Sequence, residues 1–340
     1  MKPSILIIYT GGTIGMTLDP KTGELSPVDF SAISNQLPEL IRFDLEIKTI
    51  SFTPPIDSSE VEPELWIDLA STIGKHYDEF DGFVILHGTD TMSYSASALS
   101  FLLENLGKPV IFTGSQLPIG MLRTDGKENL ISSIEIAAAK INNVPAVPEV
   151  CIFFQNKLFR GNRTTKHNVE YFNAFRSDNY PELAETGINI KYNHHAILRP
   201  EKKKKLIVHL AMNNNMAVLK IFPGITKKVV NAILNIKGLK GVVMETYGAG
   251  NAPTANWFIS EIESAIKKGI LILNVSQCAS GSVDMSKYKT GKRLLEAGVL
   301  SGYDITTEAA ITKLMFLFAQ YSDVEQIRSF INIQIRGEIN

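Results

Sequence analysis

The chain has 340 residues and a mass of 37.6 kDa, with 44% hydrophobic and 20% charged residues, which is apolar length enough for two domains and excludes a disordered or low-complexity chain. Its 34 basic and 35 acidic side chains leave a net charge of −1, so composition gives no reason to expect nucleic acid as a partner, and a small molecule is expected instead. Two cysteines, Cys151 and Cys278, far apart in sequence, exclude a disulfide framework and a C-x-x-C zinc or redox motif and fit a reducing compartment.

In chain order, the first predicted element is a buried strand over Ser4–Tyr9. Its apolar run is too short for the core of an export signal and ends in Thr10-Gly11-Gly12-Thr13 without a small-residue cleavage site. No run reaches the roughly 18 apolar residues a membrane span requires, so a cytoplasmic location with no membrane partner is expected. Further strands are predicted at Leu45–Phe52, Gly82–Leu86, Pro109–Phe112 and Val150–Phe154, and helices at Glu62–His76, Ser93–Leu103 and Thr124–Ala139. This alternation predicts an α/β fold: a larger N-terminal, doubly wound, mostly parallel sheet over residues 1–190.

The periodicity then fades through a polar stretch that includes Lys202-Lys203-Lys204-Lys205, read as a solvated linker over 191–208. A smaller C-terminal α/β domain over 209–340 follows. Its predicted elements are a strand at Leu239–Met244, a helix at Asn256–Lys267, a strand at Gly269–Val275, and helices near Thr306–Ala319 and Val324–Ile331.

Several familiar motifs fail. Gly248-Ala249-Gly250-Asn251-Ala252-Pro253 begins like a dinucleotide fingerprint but carries Pro where the third glycine packs against the sheet. There is no G-x-x-x-x-G-K-[ST], no H-E-x-x-H and no G-x-S-x-G, so neither a phosphate loop nor a metal is expected. What remains is a concentration of hydroxyls at the ends of predicted strands, where an open α/β sheet holds its ligands. Thr10-Gly11-Gly12-Thr13-Ile14-Gly15 follows the first strand, and His87-Gly88-Thr89-Asp90-Thr91 follows Gly82–Leu86. Thr113-Gly114-Ser115-Gln116 and Arg160-Gly161-Asn162-Arg163-Thr164-Thr165-Lys166 come later. Each alone also reads as a turn, a helix cap or a surface lysine, and His87 reads as a hydrogen-bonded support rather than a general base.

Together and in this order, these segments, with Tyr247-Gly248-Ala249-Gly250-Asn251-Ala252-Pro253, resemble the bacterial-type L-asparaginases, specifically the cytoplasmic type I branch, over essentially the whole chain. The resemblance implies a larger N-terminal and a smaller C-terminal α/β domain in a homodimer or homotetramer. It also implies hydrolysis of L-asparagine to L-aspartate and ammonia through a threonine nucleophile, with neither cofactor nor metal. By resemblance Thr13 is the nucleophile, and Thr89, Asp90 and Lys166 form a second catalytic cluster. Asp57, Ser58 and Ser59, with Gly88 and Ser115, hold the substrate. Backbone N–H groups around Thr89 are the natural donors to the developing oxyanion. Lys166 serves either as a base or as an electrostatic anchor.

Two positions depart from the family. Relatives usually carry a Tyr near the nucleophile on the loop after the first strand, but Ile14–Val28 contains none, leaving Leu25 or Phe30 to cover the substrate. In type I relatives with a second, regulatory asparagine site, an arginine stands where this chain has Glu245, so regulation there is expected to be weak or absent, with Thr165, Asn251 and Cys278 as remnants. Competing readings are a glutaminase-asparaginase of mixed specificity, an ammonia-supplying subunit of a tRNA-dependent amidotransferase, a non-catalytic amino-acid sensor and a nucleotide-binding enzyme. One methylene in a pocket is worth only about 1–3 kcal/mol, so the sequence leaves glutamine open.

Overall fold

Ile5 to Tyr9 are buried without exception, as a strand covered on both faces must be. In the computed structural model, which describes residues 2–18, 25–27, 38–42, 44–201 and 204–340, they lie in β1 (Ser4–Gly11). β1 pairs in parallel with β2 (Glu46–Ile56) on one side and β3 (Gly82–Leu86) on the other. β4 (Val110–Thr113) and β5 (Val150–Phe154) extend the parallel sheet beyond β3. The spatial order is therefore 2-1-3-4-5. The chain leaves β1 toward one neighbour and returns on the other side, and that reversal opens a crevice at the C-terminal ends of β1 and β3.

The crossover helices are α1 (Pro63–His76), α2 (Met92–Leu102) and α3 (Gly126–Ala138), each within a residue or two of its expected place. α1 starts with proline in its first turn, where a missing N–H costs nothing, and buries Leu65, Trp66, Leu69, Ala70 and Ile73 at helical spacing.

The sheet does not stop at β5. A hairpin leads to β6 (Lys157–Arg160), and β7 (Ala184–Thr186) and β8 (Ile190–Tyr192) continue antiparallel, making eight strands. The hairpin turn is Gln155-Asn156, both at positive φ (43° and 60°), the twist that suits a two-residue connection. It lacks the glycine by which sequence reading recognises such turns.

The stretch 191–208 is built into this first unit, which runs Met1–Leu210. Lys191 and Tyr192 belong to β8, and Ala196 and Ile197 pack in the core with Phe153 and Leu183. A buried ion pair fixes the segment: Arg160 Nε donates to Glu149 Oε2 (2.6 Å), Leu198 N–H donates to Glu149 Oε1 (2.6 Å), and an Arg160 terminal nitrogen donates to Ala196 O (2.8 Å). From Lys191 to Leu198 the polar stretch is therefore anchored to the sheet and core of this unit rather than forming a free tether.

The second unit, Ala211–Asn340, has its own four-stranded parallel sheet in sequence order: β9 (Met216–Lys220), β10 (Gly241–Thr246), β11 (Leu271–Ser276) and β12 (Leu300–Ser301). Its helices are α4 (Lys227–Leu234), α5 (Asn256–Lys267), α6 (Lys289–Glu296), α7 (Thr307–Gln320) and α8 (Val324–Ile331). In α7, Lys313 is wholly buried and ion-paired at 2.6 Å with wholly buried Glu338. No helix among the described residues is long and apolar enough to cross a membrane.

Candidate active site

The site begins with glycine. Gly11 and Gly12 sit at φ 134° and 88°, and a Cβ on Gly12 would lie 2.4 Å from Gly88 N and 2.5 Å from Gly88 Cα. Only a residue without Cβ lets the end of β1 touch the end of β3 this closely. Gly88 is equally confined from the β2 side, where its Cβ would meet Ser58 Oγ at 2.4 Å.

These close approaches, backbone of Gly12 and side chain of Ser58 against Gly88, frame a cavity of about 240 Å³. Thr13, Asp57, Ser58, Gly88, Thr89, Asp90 and Lys166, all singled out from sequence, line it. Lys166 Nζ donates to Thr89 Oγ1 at 2.8 Å and to Asp90 Oδ1 at 2.6 Å. The lysine is 14% exposed and its carboxylate partner 62%, so the pair lies between the buried wall and the open mouth. A short ladder, Thr165–Lys166 against Phe175–Arg176, holds the lysine. The hydroxyl of Thr13 has no hydrogen-bond partner among the described residues. Asp57 accepts from Ser59 N–H and from Ser59 Oγ, each at 2.8 Å, and these donors hold its carboxyl below the ordinary range.

Other candidates lie elsewhere. Ser59 is spent on Asp57 and Ser115 Oγ donates to Leu117 O (2.5 Å); neither lines the cavity. Thr165 is half-buried beside Lys166 and outside the lining. In the second unit, Asn251 Oδ1 accepts from Thr290 Oγ1 (2.6 Å), and Cys278 is exposed. Glu245 is bound at both oxygens, by Thr307 Oγ1 at 2.8 Å and Lys220 Nζ at 3.2 Å. Leu25 lies in a short strand, Leu25–Pro27, paired with Met16–Leu18; Phe30 lies outside the described residues.

Sequence reasoning passed over Gln116 and Met16. Ser115 turns into its own loop, so Gln116, the next residue, faces the cavity, where its Oε1 accepts from Thr89 Oγ1 (3.4 Å). Half-buried Asp125 fixes that loop by accepting from the N–H groups of Gln116 (3.0 Å) and Leu117 (3.2 Å). A larger neighbouring groove of about 870 Å³, lined by Met121, Leu122, Val169 and Tyr171, shares Gln116 and Val169 with the cavity but holds none of the hydroxyl, carboxylate and lysine set.

His87, at the end of β3, lies behind the cavity and is 1% exposed; burial lowers its pKa to about 4. Unfolded, the imidazole takes a proton near pH 6.5, so between these values the unfolded chain binds more protons and stability falls as pH drops from about 6.5 to about 4. The loss attributable to this one group reaches about 3 kcal/mol. Urea midpoints at pH 7, 5.5 and 4.5 are expected to decline more steeply for the wild type than for His87→Asn; equal slopes would refute the assignment.

Among the described residues, no three His, Cys, Asp or Glu side chains cluster as metal ligands. The doubly wound unit with its loaded switch-point crevice, joined to a second parallel unit, defines a two-unit α/β enzyme acting on a small molecule. The chain belongs to the asparaginase family. Residues 4–198 match the family model described as Asparaginase, N-terminal, and residues 215–331 match the Glutaminase/Asparaginase C-terminal domain. L-asparaginase 1 of Escherichia coli (strain K12) is 46% identical over 343 residues, covering 99% of this chain and 98% of that one. The 60 kDa lysophospholipase of Mus musculus is 39% identical over 98% of this chain, which spans 62% of that longer protein. The crystal structure of L-asparaginase I from Vibrio cholerae O1 biovar eltor superposes with a TM-score of 0.90 at 38% identity, over 100% of each chain.

Proposed function

We propose that the chain is an L-asparagine amidohydrolase that uses Thr13 as nucleophile. The observation that carries this reading is the gathering of Thr13, Thr89, Asp90 and Lys166 around one small cavity. Thr13 Oγ attacks the side-chain amide carbon and the C–N bond breaks. Ammonia leaves with the hydroxyl proton, and an ester links substrate and enzyme. Water then attacks the ester, releasing L-aspartate and restoring the hydroxyl. Thr89, held by Lys166 at 2.8 Å, stands ready to orient that water. Lys166, with Asp90 at 2.6 Å, acts as an electrostatic anchor for the cluster. The Thr89 backbone N–H serves as a donor to the oxyanion, where loss of one such donor costs about 3–4 kcal/mol.

Recognition is zwitterionic: Asp90 and Asp57 take the α-ammonium, and Ser58 donates to the α-carboxylate. Ser59 contributes through Asp57, which it fixes. The location is cytoplasmic and the assembly a homo-oligomer, as expected for type I members. The test is ammonia release from L-asparagine and L-glutamine by the purified protein, with kcat/KM compared side by side. Linked aspartate and ammonia, with asparagine preferred, are expected. Asparagine binding without ammonia release would replace the enzyme with a sensor.

Glu245 leads to a second expectation. Its carboxylate, tied to Lys220 and Thr307, stands where relatives with a regulatory site carry an arginine, and an acid at that position would repel an anionic α-carboxylate. Asparagine kinetics are expected to be hyperbolic, with a Hill coefficient near one that Glu245→Ala leaves unchanged. Sigmoidal kinetics abolished by that substitution would show the acid to be part of a regulatory site.

A further inference from the structure

Building on the reading of the Thr89 backbone N–H as an oxyanion donor, we propose that His87 is a positioning residue that aligns and polarises the Gly88–Thr89 peptide for the tetrahedral intermediate. His87 does not line the cavity and reaches it only through the backbone. Its Nδ1 lies 2.7 Å from Gly88 O and its Nε2 lies 2.9 Å from Ser95 Oγ. Ser95 Oγ in turn accepts from Trp66 Nε1 at 2.9 Å.

The donor inventory fixes the direction of this chain. A carbonyl oxygen only accepts, so Nδ1 carries the proton; a neutral imidazole then accepts at Nε2, and Ser95 supplies its hydroxyl hydrogen there. An indole N–H only donates, which completes the sequence Trp66 to Ser95 to His87 to Gly88 O with every hydrogen used once. Burial, which lowers the imidazole pKa to about 4, keeps the ring neutral at neutral pH. Phe112 meets the imidazole edge-on at 5.7 Å and limits its rotation.

Gly88 C=O and Thr89 N–H belong to one planar trans peptide, and they point in opposite directions. The N–H therefore points away from the imidazole, and it has no partner among the described residues. A hydrogen bond received at the carbonyl draws charge from the amide and strengthens its N–H as a donor, and three linked bonds reinforce one another. Gly12 and Ser58 press on Gly88 from two other sides, so the imidazole completes the confinement of this peptide. An apolar side chain would fill the same buried space without the donor.

Two isosteres separate the roles of the ring nitrogens. His87→Asn places an amide N–H where Nδ1 stands and keeps the bond to Gly88 O. His87→Gln places its amide where Nε2 stands and keeps only Ser95. With L-asparagine, His87→Gln is expected to lower kcat about tenfold, below the full effect of deleting an oxyanion donor. KM and the calorimetric affinity for L-aspartate are expected to stay within about twofold, and His87→Asn to keep kcat within about threefold of wild type. Ser95→Ala, a smaller change that leaves the ring in place, is expected to lower kcat about threefold and serves if His87→Gln does not fold. Equal kcat in the Asn and Gln variants, a loss confined to KM, or an unaltered Ser95→Ala would overturn the proposal. A wild type that releases no ammonia would instead overturn the functional reading on which it rests.

Discussion

Thr13→Ala is expected to lower kcat for ammonia release from L-asparagine at least about a thousandfold, the scale seen when a covalent nucleophile is removed. No neighbouring hydroxyl replaces it. Thr89 Oγ1 is engaged by Lys166 on one side and Gln116 on the other, and Ser58 Oγ accepts from the Asp90 backbone N–H. Thr89→Val is expected to fall by a similar factor, because it removes one of the two partners of Lys166 and opens the chain to Gln116. The double variant is expected to be scarcely worse than either single one, since groups that act as a unit do not add. Thermal transitions within a few degrees of wild type would show that chemistry rather than folding is lost. A Thr13→Ala enzyme retaining a tenth of its activity would move the nucleophile elsewhere.

The largest expected effect on stability lies in the second unit. Lys313 and Glu338 are both fully buried and 2.6 Å apart. The ammonium also donates to Ile331 O (3.0 Å) and Ile333 O (2.8 Å), while the carboxylate accepts from the N–H groups of Ile335 (3.1 Å) and Arg336 (2.7 Å). Burial works to lower the Lys313 pKa and the adjacent Glu338 opposes it. Lys313→Met strands a buried carboxylate and is expected to cost about 3–5 kcal/mol, read as a lowered urea midpoint of the second unit. Adding Glu338→Gln is expected to recover only part of this, because the carbonyls of Ile331 and Ile333 still lack their donor. A shift below about 1 kcal/mol would mean that water replaces the ammonium.

Legibility in the sequence followed the physics of burial. β1 and β3 were readable because two-sided coverage demands unbroken apolar runs, and α1 because its buried residues keep helical spacing. β6, β7 and β8 were not: they are only three or four residues long, and β6 is reached through the glycine-free Gln155-Asn156 turn. In the second unit β9 escaped notice, its middle residue Val218 being exposed, and so did α4 and α6, each eight residues long. At the site, Thr13, Thr89 and Asp90 could be read from Gly-flanked motifs at strand ends. Lys166 stands 77 positions from Thr89; its segment could be read with the other strand-end motifs, but its role in the cluster came only with the family resemblance. The choice of Ser115 over Gln116 shows the limit, because which of two adjacent loop residues faces a ligand depends on the Asp125 anchor.

The contact of Gly12 with Gly88 carries one more consequence. Main chain, not rotamers, sets the spacing of the two threonine-bearing loops, so jostling of side chains on warming leaves it unaltered. Catalytic competence is therefore tied to the integrity of the sheet itself: heat inactivation is expected to coincide with melting of the first unit, without an earlier stage in which an intact scaffold holds a loosened centre.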